Sequence, residues 1–138
     1  MAGYAVDPDR STITAVVRPR MGPPTLPARV TGTVDLDEAA LRAAEGTGDR
    51  AGEPAGRRAI EASELSGSIE VSLDGQPPVA VDLAAAAADG PADLCRDEQG
   101  QLVLRGRRSA PAGAFGILGP PLINPTVVLT WSLVLDPL

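Results

Sequence analysis

The chain has 138 residues, a length suited to a single domain spanning 1–138 with a packed core, and 43% of it is hydrophobic. Tyr4, Phe115 and Trp131 are its only aromatic residues, so the core falls to Val, Leu, Ile and Ala. A net charge of −6 argues against nucleic acid as a partner, and the absence of His excludes a Ser-His-Asp or Cys-His catalytic arrangement and a His-ligated metal.

The first element lies in Gly3-Tyr-Ala-Val-Asp-Pro-Asp-Arg-Ser-Thr-Ile13, an aromatic residue, an Asp-Pro pair and a Ser ahead of an alternating stretch. It reads as the entry strand of a barrel. Asp and Pro stand where a secretory leader would be apolar, which predicts a soluble, cytoplasmic chain. Over 11–17, Ile13, Ala15 and Val17 share one face, with Thr12 and Thr14 opposite. Over 30–36, Val30, Gly32, Val34 and Leu36 alternate with Thr31, Thr33 and Asp35. Residues 37–44 then carry Ala and Leu at helical spacing, with Asp35 or Asp37 as candidate N-cap. The stretch 45–57 is rich in Gly and charge and predicts a mobile loop.

Residues 58–65 are ambiguous and lean to a strand through Ile60. The clearest alternation is 68–74, where Ile69, Val71 and Leu73 point one way and Ser68, Glu70, Ser72 and Asp74 the other. Asp74-Gly75 supplies a turn, and Val79, Val81 and Leu83 line the next strand, a hairpin with Pro77 and Pro78 confined to its start or edge. Residues 84–100 predict a short Ala-rich helix ended at Gly90 and a second helical turn from Pro91. Residues 101–106 follow as a strand. In the last, 126–136, Val127, Leu129, Trp131, Leu133 and Leu135 make one apolar face.

Seven or eight short strands with two helical connections, each strand apolar on one side, predict an antiparallel sheet with one wet face. Such a sheet has to close or fold over itself, as a barrel or a sandwich. No apolar stretch reaches the ~20 residues of a membrane span; the nearest, 112–135, is broken by Gly113, Gly116, Gly119, Pro120, Pro121 and Pro125.

Chemistry-bearing groups are sparse. Cys95 is the sole cysteine, which rules out an intramolecular disulfide, and it reads as a small half-buried side chain. No phosphate-cradling Gly loop occurs. The pairs Asp7/Asp9 and Asp35/Asp37 share strand faces but read as solvated carboxylates, and Asp93, Asp97 and Glu98 lack the spacing of a Ca²⁺ loop. Arg105 and Arg107 share a face. They are either solvated or a clamp for an anionic head group at a barrel mouth.

Tyr4-x-Val6-Asp7-Pro8-x-x-Ser11-x-Ile13, Met21-Gly22, Gly100-x-Leu102-x-Leu104-Arg105-Gly106 and Phe115-Gly116-Ile117, followed by the strand from Val127 to Leu135, occur in this order. Together they resemble the YceI-like family. The resemblance implies a closed, lipocalin-like antiparallel β-barrel that holds a long isoprenoid or acyl chain, and no cofactor. Arg10 and Arg20 stand where the family has His, and the chain is shorter than its typical members.

Two functions follow as expectations. The first is a non-enzymatic carrier of a hydrophobic small molecule, with Ile13, Val17, Ile69, Val71, Leu73, Leu102, Leu104, Phe115, Leu129, Trp131 and Leu133 lining the interior and Arg105 and Arg107 at the head group. The same lining residues read equally as ordinary core. The second is a non-catalytic structural or protein-interaction β-domain with a filled core, working through its surface or as a homodimer. A continuous void of ~300 Å³ separates the two.

Overall fold

The computed structural model describes residues 2–18, 28–45, 58–73, 77–90, 92–97, 99–111, 113 and 125–138. They form β1 (Ala2–Val6), β2 (Thr12–Arg18), β3 (Ala28–Leu36), α1 (Glu38–Glu45), β4 (Arg58–Ala59), a 3-10 turn (Ala62–Glu64), β5 (Leu65–Leu73), β6 (Val79–Asp82), α2 (Leu83–Asp89), β7 (Asp93–Arg96), β8 (Leu102–Pro111) and β9 (Thr126–Pro137). All strands join one antiparallel sheet in the order β4-β7-β8-β9-β1-β3-β5-β6, with β2 also on β9.

The long β9 is the spine, because alternate residues along it bury Val127, Leu129, Trp131, Leu133 and Leu135. β1 and β2 both pair with it, and the Asp-Pro-Asp-Arg-Ser stretch is the excursion between them. Its residue order has a physical cause. The Asp7 N–H donates to the Val134 carbonyl at 2.9 Å, and Ser11 Oγ accepts from the Val134 N–H at 2.8 Å, so the excursion leaves both Val134 backbone groups satisfied. Asp7 Oδ1 in turn accepts from the Asp9 N–H at 2.9 Å, an Asx-type turn for which Pro8 pre-sets the backbone.

β3 and β5 pair over nine residues, from Ala28 opposite Leu73 to Leu36 opposite Leu65. Gly67, opposite Val34, has φ +112°, and a Cβ there would sit 2.4 Å from the Thr33 carbonyl oxygen. A glycine inside a strand at so close an approach marks a bend. The sheet does curl: α2 packs on both β5 and β8, which are four strand steps apart. Flat, those strands would be ~19 Å from one another, more than the ~10–12 Å breadth of a helix.

The closed barrel expected from the sequence is corrected here. Among the described residues no ladder joins β4 to β6, and the sheet stays open. The space between its two arms is taken by α2, which buries Leu83 and Ala86. Asp82 caps that helix by accepting from the Ala84 and Ala85 N–H groups at 3.0 and 3.2 Å, and the Gly90 N–H closes it on the Ala86 carbonyl. Asp37 caps α1 through the Ala39 N–H.

Two local expectations also change. The residues after Pro91 form β7 rather than a helical turn, because Leu94 and Cys95 pair with Leu104 and Val103 of β8. The strand through Ile60 shrinks to Arg58–Ala59 before the 3-10 turn. The predicted turns at Met21-Gly22 and Asp74-Gly75, the loop at 46–57 and the Phe115-Gly116-Ile117 segment lie outside the described residues. Among those described, no helix is long and apolar enough to cross a membrane.

Candidate functional site

Two surfaces of the sheet bear on function, the inner and the outer. On the inner one, Val17, Ile69, Val71, Leu73, Leu102, Leu104, Leu129, Trp131 and Leu133 are buried in a single cluster, and Ile13 packs half-buried against it. Phe115 lies outside the described residues. The expected lining residues are thus brought together, packed against one another and against Leu83 and Ala86 of α2. Beside α2, a crevice lined by Leu65, Leu83, Ala86, Leu104 and Trp131, among others, measures about 10 Å³. That is barely room for one water molecule.

The Trp131 indole owes its place to Gly106, which faces it across the β8–β9 ladder. A Cβ on residue 106 would lie 2.6 Å from Trp131 Nε1. Glycine at this position lets the largest side chain of the core lie flat over the strand.

On the outer surface, cross-strand register sets side chains in rows. Arg105 lies opposite Asp93 on one side and Ser132 on the other, and Ser132 lies opposite Thr12. In the next row Arg107 pairs with Thr130 and Thr130 with Thr14. The seven side chains, with the backbone at Gly106 and the edge of Trp131, surround an open groove of about 400 Å³. Arg105 and Arg107 are exposed, and neither meets a carboxylate among the described residues. They alternate along β8 with the buried Leu104 and Gly106, and Arg105 also borders the small crevice beside α2 that Leu104 and Trp131 line. A neighbouring crevice of about 420 Å³, lined by Asp89, Gly90, Arg107, Arg108 and Ser109, continues past Arg107, and there Arg108 Nη1 lies 3.9 Å from Asp89 Oδ2.

Arg10 behaves differently. Its Nε meets Asp7 Oδ2 at 2.6 Å, its Nη2 meets Asp136 Oδ1 at 2.8 Å, and its Nη1 donates to Gln101 Oε1. Gln101 Nε2 also donates to Asp136 Oδ1, at 2.7 Å. The hydrogen bond from Arg10, followed by that from the Asp9 N–H, holds the Asp7 carboxyl below the ordinary carboxylate range. An acid so occupied ties the β1–β2 excursion, through Arg10, to the end of β9. Among the described residues no cluster of His, Cys, Asp or Glu could hold a metal ion, Cys95 is buried, and the only large hydrophobic side chain left exposed is Leu138.

Sequence reasoning found the shared face of Arg105 and Arg107 but not the hydroxyl floor beside it. The signal was present in the polar half of each alternation, Thr12 and Thr14 in β2 and Thr130 and Ser132 in β9. Only the register joins those halves. Comparison with known proteins adds no relative: no family model matches the chain, and no curated protein or solved structure matches it.

Proposed function

We propose that the chain is a non-catalytic binding domain with a filled core, acting through the outer face of its sheet. The observation that carries this reading is the packing of the inner face around Trp131, with about 10 Å³ left beside α2. A carrier of a long apolar chain, which the YceI-like resemblance implies, needs ~300 Å³ or more. Opening that volume in a packed core at ~24 cal/mol per Å³ would cost about 7 kcal/mol, comparable to the whole stability of a domain. The absence of His supports a non-enzymatic role.

Native mass spectrometry of the purified protein tests the reading. The expected spectrum shows the bare polypeptide mass. A co-purified apolar adduct of one molecule per chain would overturn the filled core and restore the carrier.

A further inference from the structure

We propose that the outer groove over β2, β9 and β8 binds a small hydroxylated molecule carrying a phosphate or carboxylate, anchored by Arg107 and Arg105. This rests on the filled-core reading above, and names the ligand class of that surface.

Three observations converge on the site. First, in a chain of net charge −6, Arg105 and Arg107 meet no carboxylate among the described residues; Arg18 and Arg29 share that property, but each stands alone on its strand, whereas Arg105 and Arg107 share one strand face. Two positions apart on one strand face, they stand ~7 Å from each other at the backbone, and each presents a fork that matches an oxyanion. Second, the floor between β8 and β2 is hydroxyl: Thr12, Thr14, Thr130 and Ser132 both donate and accept, as sugar-like hydroxyls require. Third, the groove measures about 400 Å³, within the range of small-molecule sites and small for a protein partner.

Asp93 lies across the β7–β8 ladder from Arg105, and Asp89 borders the crevice beyond Arg107, so a carboxylate stands near each end of the pair. An anionic group is therefore favoured between the two guanidiniums, with the ligand's hydroxyl groups over Thr130 and Ser132.

The test is an amide NMR titration of the full chain with glucose 6-phosphate and with gluconate, using glucose and added NaCl as controls at matched ionic strength. Both oxyanions should give saturable shifts confined to 12–14, 105–107 and 130–132. Arg107→Gln should weaken the response about tenfold, as expected for loss of a charged fork. Arg29→Gln, an exposed cation on β3, should leave it unchanged, and far-UV circular dichroism should match the parent in both variants. The proposal is overturned by no saturable shift, by shifts that glucose or NaCl reproduce, by shifts that survive Arg107→Gln, or by binding only to anionic lipid vesicles. A silent groove in a protein free of apolar adduct sinks this inference alone; an apolar adduct sinks the filled core itself.

Discussion

The β3–β5 arm and the β8–β9 arm of the sheet bury the same kind of inner surface, Val, Ile and Leu at every second position, and differ in how they use glycine and in what they show to water. In β3–β5, Gly67 sits where the partner backbone comes so near that a side chain would strike the Thr33 carbonyl. Its role belongs to the chain path. In β8–β9, Gly106 sits under an indole, and its role belongs to packing. Outward, the first arm presents Arg29, Thr31, Thr33, Asp35, Ser68 and Glu70, and the second presents two guanidiniums beside Thr and Ser. The inner faces make the two arms one core; on the outer faces the first arm carries the single cation Arg29 beside acids, and the second carries two guanidiniums in adjacent rows.

The largest expected effect tests the first half of that contrast. Gly67→Ala adds a Cβ against backbone at φ +112° and should lower stability by about 3 kcal/mol, read as a drop in the urea midpoint. Gly106→Ala pushes on a side chain instead and should cost less, about 1–2 kcal/mol, while altering the near-UV circular dichroism of the single Trp. Equal losses, or a near-UV change in Gly67→Ala alone, would dissolve the distinction between path and packing.

A smaller effect concerns the tie that holds the β1–β2 excursion to β9. The Asp7 carboxyl titrates below its unfolded value, because the folded state bonds its charged form. Its contribution to stability is therefore full above the unfolded value of ~3.9 and is lost as pH falls through the folded one. Asp7→Asn should be less stable than the parent at neutral pH, and the gap should narrow as pH falls below ~3.9. A gap that stays constant into strong acid would show that Asp7 acts through something other than its charge.

Much of the fold was legible because period-2 alternation is local. The inner faces of β2, β3, β5, β8 and β9 could be read residue by residue, and Gly90 announced the end of α2. What could not be read was set by distant partners. Asp93–Arg96 is a strand because Val103 and Leu104 lie beside it, and its four residues carry no period of their own. Arg10 meets an acid 126 positions away. The alternation called for a closed sheet, but a helix covers the gap as well as a ladder would, and nothing in the Ala run of α2 says that it lies between two arms. The candidate site was half legible for the same reason: Arg105 and Arg107 visibly share a face, but the hydroxyl groups beside them come from strands more than twenty residues away in either direction.

The most direct test of the filled core uses Trp131, the only tryptophan, which is 3% exposed. Its fluorescence should be blue-shifted, and titration with a long-chain prenol or quinone should leave both wavelength and intensity unchanged. A saturable change at one ligand per chain would show that the inner face opens to an apolar guest, and would contradict the account.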